Sequence, residues 1–210
     1  MKKLILFILA TIVLISCNKK VTLKGRVLNP VTNQGIEGFT IAVSADTWEL
    51  PGGAKPVGET TSNANGDFVL EFKKSGYDFS VYKEGYYNIG WYQNGEILPG
   101  QLPVNDKGKT MHADFYAVPY GEIKTSVHNI NCSGSTDTLI FKRIYQLDPN
   151  NSVFQPFTFT GCYDNYGAFA KVPSGDYKLE WTVIRSGVSN TYSHILSVPG
   201  NGQAIYNIDY

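Results

Sequence analysis

Residues that carry out chemistry are scarce in this chain. Its 210 positions hold three histidines and three cysteines, with no Gly-x-Ser-x-Gly, His-x-x-x-His or Cys-x-x-Cys arrangement anywhere. Nucleophilic catalysis needs a Ser or Cys, a His base and an acidic group that orients it. Here His112, His128 and His194 stand in no such motif, and Cys132-Ser133-Gly134-Ser135 reads as a turn. Zinc ligands come at short spacing, which three scattered histidines do not provide. Asn63, Asn65 and Asp67, or Asp164 and Asn165, offer hard oxygens on turns, but no twelve-residue calcium loop with its closing glutamate follows. The expectation is a chain that is not an enzyme and has no metal site and no cofactor. Charge of one sign is missing too: 18 basic residues balance 18 acidic ones, which removes the electrostatic basis for binding nucleic acid. Good helix formers do not dominate. In their place stand 21 Gly, 10 Pro, 14 Tyr and 11 Phe, the mix that short strands and tight turns use.

A long hydrophobic run is also absent. The longest, Leu4 to Ile15, is twelve residues interrupted by Thr11, short of the roughly 20 that span a bilayer. With Lys2 and Lys3 before it, this run reads as a secretory signal peptide over residues 1–16. Leu14-Ile15-Ser16-Cys17 resembles the lipobox of bacterial lipoproteins, which implies lipidation of Cys17 and a short tether over 17–20. Without residues 1–16 the chain stays within two charges of neutrality. Acyl chains on Cys17 would hold it at a membrane with no transmembrane helix. In the Bacteroidetes-type lipoproteins that this start resembles, acidic residues after the cysteine favour surface display. Here Asn18-Lys19-Lys20 follows, so the expectation is the outer membrane, with the periplasmic or cell-surface face left open. An oxidising compartment makes Cys132 and Cys162 candidates for a disulfide, the alternative being two buried thiols.

From Val21 onward, short alternating runs are broken by Gly, Asn, Asp and Pro, the pattern of an antiparallel all-β protein. Strands are expected at 22–28, 39–43, 67–72 and 77–82, with a loop rich in Pro and Gly after Val43. Asn63-Ala64-Asn65-Gly66 predicts a type I′ hairpin between Glu59–Ser62 and Asp67–Phe72. Leu23-Lys24-Gly25-Arg26-Val27, Gly35 to Val43, Thr61 to Phe68, Gly76 to Val81 and Lys83-Glu84-Gly85-Tyr86 together resemble the carboxypeptidase regulatory-like domain. That resemblance implies a transthyretin-like β-sandwich over residues 21–118 and, with no catalytic domain present, no peptidase activity.

The second half echoes the first. Asn165-Tyr166-Gly167-Ala168-Phe169 and Gly175-Asp176-Tyr177 repeat Asn65-Gly66-Asp67-Phe68 and Gly76-Tyr77-Asp78. A second β-sandwich over 119–210 is therefore expected, giving two tandem modules; one elongated sandwich is the alternative. Tyr86-Tyr87-Asn88-Ile89-Gly90-Trp91-Tyr92 sets four rings in seven positions, a composition suited to stacking on sugars or docking a protein. Tyr86, Trp91 and Tyr92 are candidate ligand contacts, as is Trp48 in the loop before Pro51, although strand alternation sends part of the cluster into the core. Trp181 is assigned to the second core. The function expected is a non-catalytic, lipid-anchored envelope protein that binds a glycan or an envelope protein through loops and sheet edges. The alternative is a structural or assembly subunit of an outer-membrane complex.

Overall fold

A computed structural model describes residues 20–47, 53–73, 77–98, 100–104, 110–148 and 156–210. The expected signal peptide, the lipidation site Cys17 and the candidate contact Trp48 lie outside the described residues. Those that are described form strands and turns and no helix, so the chain is all-β. It divides into two compact units. The first takes the residues up to Glu84 together with Gly90–Ala117, and the second takes Gly85–Ile89 together with Val118–Tyr210.

The first unit is built around β1 (Lys20–Asn29), which returns through Asn33 (φ 56°) into β2 (Gln34–Gly35). Then follow β3 (Thr40–Thr47), β4 (Gly53–Thr61), β5 (Asp67–Lys73), β6 (Tyr77–Tyr82), β7 (Tyr86–Gln93), β8 (Glu96–Ile97), β9 (Thr110–His112) and β10 (Asp114–His128), of which β7 belongs to this unit only from Gly90 on and β10 only up to Ala117. Alternation decides the faces. Phe68, Leu70 and Phe72 of β5 are buried while Asp67, Val69, Glu71 and Lys73 are exposed, and Val21, Leu23 and Val27 of β1 point the same way. β5 pairs antiparallel with β1 from Lys20↔Lys73 to Arg26↔Asp67, and on its other side β1 runs parallel to β9 and to the start of β10. A second sheet has the order β4-β3-β6. The two sheets meet through rings such as Phe72 and Phe79, edge to face at 5.6 Å. Gly25 is required where it stands, because a Cβ there would land on the carbonyl of Ala113.

Two expectations need correcting in this unit. Asn65-Gly66 does not close a hairpin: β4 pairs with β3 whereas β5 pairs with β1, so the segment between them changes sheets. A type I′ turn needs positive φ at both central residues, and only Gly66 has it (φ 81°). The turn is held instead by the Asn63 side-chain oxygen, which accepts from the amides of Asn65 and Asp67 at 2.9 Å each. The described part of the Pro- and Gly-rich stretch after Val43 is strand and not loop. β3 and β4 pair from Thr40↔Thr61 out to Thr47↔Gly53, with an irregularity at Val43/Ser44. Pro56 lies on the edge strand β4 beside that irregularity, the kind of position where a sheet tolerates proline.

In the second unit β10 is flanked by β13 (Asp164–Asn165) and β14 (Ala170–Pro173), both antiparallel, and by β17 (Gln203–Asp209), parallel from Glu122↔Gln203 to His128↔Asp209. A four-stranded sheet completes it, with β12 (Phe157–Thr160), β11 (Thr138–Tyr145), β15 (Gly175–Arg185) and β16 (Val188–Val198) in that order. Ile123, Leu139, Tyr145, Tyr177, Leu179 and Ile208 are fully buried in its core. The two tyrosines donate to backbone carbonyls, Tyr145 to Ser174 at 2.8 Å and Tyr177 to Pro173 at 2.9 Å, and burial pushes both phenol pKa values up.

The echo seen in the sequence has a backbone counterpart. Asn165 accepts from the Gly167 amide as Asn63 accepts from Asn65 and Asp67. Gly66 crowds the Val27 carbonyl of β1, and Gly167 crowds the Thr125 carbonyl of β10. Cys132 and Cys162 form a disulfide with Cα atoms 5.3 Å apart. Beside it the buried Asp137 (1% exposed) accepts from the Ser133 amide at 2.9 Å, from the Asn129 amide group at 3.2 Å and from Arg185 Nε at 3.2 Å. The Ser133 amide foremost, then Asn129 and Arg185, hold its carboxyl below the usual range.

Candidate functional site

The residues singled out in the sequence do not assemble into one surface. Trp91 is 3% exposed and lies among Phe115 at 5.1 Å, Phe79 at 5.5 Å and Phe68 at 6.3 Å, all edge to face. It is a core residue of the first unit and not a ligand contact; alternation along β7 turns its ring inward, where apolar area is worth more buried than exposed. Tyr92, the next residue, faces the other way, half-buried and stacked on Tyr116 at 4.5 Å and 16°. Tyr86 is half-buried and belongs to the second unit.

The aromatic surface lies elsewhere, along the open side of the second unit where β16 and β17 are the edge strands. In the β15–β16 ladder Trp181 stands opposite Tyr192 and Leu179 opposite His194, which puts Trp181, Tyr192 and His194 on the face that looks toward β17. Alternation in β17 sends Ala204, Tyr206 and Ile208 to meet them. Trp181 and Tyr192 stack at 5.9 Å and 23°, Trp181 and Tyr206 are tilted at 5.9 Å, and His194 and Tyr206 stack at 4.4 Å and 18°. Tyr192 is 50% exposed. Trp181, assigned from the sequence to the core, only rims it: the ring is half-buried and packs against the core with one part of its surface.

A cleft of about 280 Å³ opens beside these rings, walled by Trp181, Tyr192 and Tyr210 with Asn131, Arg185 and Asp209. Arg185 is held in place from behind by its ion pair to Asp137 and by donation to Asn129 Oδ1 at 2.8 Å. Its guanidinium also lies over the Tyr210 ring at 5.6 Å. The Tyr210 hydroxyl is buried with no hydrogen bond inside the protein, and burial raises its pKa. The cleft thus combines flat apolar faces with one donor held in place, Arg185, and with the exposed polar side chains of Asn131 and Asp209. Among the described residues no group of three or more His, Cys, Asp or Glu comes together as a metal centre. The sequence held one clue to this site, the i, i+2 spacing of Tyr192 and His194. Their meeting with Trp181 and Tyr206 depends on strand pairing that the sequence does not display.

No protein-family model matches the chain, and no curated protein matches it. Solved structures resemble parts of its path. The TIE protein of Bacillus anthracis has 15% identity and a TM-score of 0.31 over 92% of this chain and 34% of its own. The minor pilin GBS52 of Streptococcus agalactiae has 12% identity and a TM-score of 0.35 over 90% and 94%. A DUF3823 family protein of Parabacteroides merdae has 14% identity and a TM-score of 0.32 over 87% and 100%. The chain spans about a third of the Bacillus anthracis protein's length. Likeness of this degree assigns the chain neither a family nor a function.

Proposed function

We propose that this chain is a non-catalytic binding protein of the bacterial cell envelope that holds a glycan in the aromatic cleft of its second unit. The observation that carries the reading is the near-parallel pair Trp181 and Tyr192 beside Arg185, Asn131 and Asp209. A sugar ring has an apolar C–H face and an equatorial belt of hydroxyls. Aromatic rings cover the first, while charged and amide groups at the rim bond the second. Cys17 bears the lipid that tethers the protein to the outer membrane, and the first unit is a transthyretin-like sandwich. The supports are the lipobox-like start, the Gly25 to Tyr86 motif series and the two-sheet arrangement of β1 to β10.

The test is a thermal-shift and calorimetric screen of oligosaccharides, since a ligand bound only to the folded state raises Tm by mass action. Tyr192→Ala, at a half-exposed position, is expected to abolish the shift while leaving the unliganded Tm within about 2 °C, in line with small surface effects. A hit that survives Tyr192→Ala overturns the location, and silence across the screen overturns the ligand class. The tether is tested by metabolic labelling with a fatty-acid analogue, and label retained in Cys17→Ala overturns it.

A second reading, assembly with an envelope protein by strand addition, is favoured by β16. It is an edge strand exposed from Val188 through His194, and a free edge is a template for another strand. Co-purification of a partner that is lost when proline replaces Asn190 would favour it over the glycan reading.

A further inference from the structure

Proteins ordinarily blunt the edges of their sheets with charge, proline, a bulge or a short strand, because an edge presents unpaired amides and carbonyls to any other strand. Two edge strands of this chain follow that rule. β4 carries Lys55, Pro56 and Glu59 beside an irregularity in its pairing, and β12 is four residues long. β16 follows none of it. Its eleven residues include no charged side chain, no proline and no glycine, and its pairing with β15 runs from Gly175↔Val198 to Arg185↔Val188 without a shift. The strand is exposed from Val188 through Ile195.

The turn before β16 decides which backbone groups the edge presents. Ser186 (φ 47°) and Gly187 (φ 78°) both have positive φ, the mark of a two-residue type I′ turn. Such a turn makes Arg185 and Val188 a hydrogen-bonded pair, and along an antiparallel ladder bonded and non-bonded pairs alternate. Ser189, Thr191, Ser193, Ile195 and Ser197 therefore point amide and carbonyl away from β15. Among the described residues no strand or turn bonds to these outward groups.

We propose that the strand filling this edge is β16 of a second copy of the chain, paired antiparallel about a two-fold axis at Ser193. The proposal rests on the strand-addition reading of β16 and names its partner. Ser193 is the midpoint of Val188–Val198, so this register engages the whole strand. Ser193 meets its own counterpart, Thr191 meets Ile195 and Ser189 meets Ser197, each an outward-pointing residue against another, as a ladder requires. Between them Tyr192 stands opposite His194, Asn190 opposite Leu196 and Val188 opposite Val198. Thr with Ile, Val with Val and Tyr with His are β-branched and aromatic pairings of the kind that stabilise sheets. A strand without charge meets no repulsion from its own copy and presents no charge for a different partner to complement. One patch paired with itself is the contact of a two-fold dimer, the commonest symmetry of homo-oligomers.

The experiment is native mass spectrometry of the full chain released from detergent, over a dilution series. A dimer is expected. Ser193→Lys sets two cations across the axis and Ser193→Asp two anions, and each should raise the dimer dissociation constant by about tenfold or more. Tm should not change, since residue 193 is exposed. Mixed in equal amounts, the two variants should pair with each other, and the mass identifies the mixed dimer; a variant that had merely failed to fold would not be rescued in this way. A chain that stays monomeric throughout, a dimer that both variants leave intact, or variants that do not pair when mixed overturns the proposal. A labelled synthetic peptide of Val188–Val198 then separates this failure from that of the strand-addition reading. Capture of the peptide by a monomeric chain keeps the edge adhesive and removes the second copy as its partner, and no capture removes both.

Discussion

Replacing Trp91 by alanine is expected to undo the first unit and leave the second folded. The indole is 3% exposed and is surrounded by three phenylalanines within 6.3 Å. Burying a side chain of this kind removes about 150–250 Å² from water, or about 4–6 kcal/mol at roughly 25 cal/mol per Å². Alanine keeps little of that and leaves a cavity, so the loss is about 3–5 kcal/mol. In a unit of this size each kcal/mol moves Tm by about 4–8 °C, which makes the expected fall at least about 12 °C. Hydrogen exchange read by mass spectrometry resolves the two units. Amides of β1, β3 and β5 should lose protection while those of β11 and β15 keep it. Tyr192→Ala is the control, with protection in both units unchanged. A Trp91→Ala protein whose β1 and β5 amides are destabilised by less than about 1 kcal/mol would refute the placement of this ring in the core.

Two further outcomes follow from the second unit. The Cys132–Cys162 bridge joins positions 30 apart, a loop for which the chain-entropy relation gives about 3.6 kcal/mol. Reduction should therefore lower the urea midpoint of β11 and β15 unfolding by a matching amount, and an unchanged midpoint would contradict this. Acid should act through Asp137. Its folded pKa lies below its ordinary value of 3.8, so its contribution is complete above that value and is lost as pH falls through the folded pKa. Asp137→Asn should flatten the dependence of stability on pH below about 4, whereas a slope as steep as in the unaltered protein would show that other groups carry it.

Local pattern made much of the fold legible. The alternation in Asp67–Lys73 and Tyr77–Tyr82 marks strands, and the Asn and Gly residues near 63–66 and 165–167 mark turns in which Asn63 and Asn165 each accept from the amide two residues on. What failed was inference across strands. An Asn-Gly pair reads as a hairpin because the rule is local, yet the register of β1 with β5 pulls the chain into the other sheet. The cluster from Tyr86 to Tyr92 attracted notice because its rings are adjacent in sequence, and adjacency along a strand divides side chains between faces. The aromatic cleft went unread for the converse reason: Trp181, Tyr192 and Tyr206 are dispersed in sequence and meet only through the β15–β16 ladder and the approach of β17.

The five residues from Gly85 to Ile89 are encoded inside the first unit but built into the second. The Gly85 carbonyl accepts from the Tyr120 amide at 3.1 Å, and the Tyr87 ring meets Tyr120 and Tyr145 edge to face at 6.2 and 6.3 Å. No single cut in the gene can therefore yield two whole modules. A fragment ending at Ala117 carries a piece it cannot use, and one starting at Val118 lacks a ring that packs on its own core. A truncation or fusion that is to keep both cores whole therefore has to keep the two halves together.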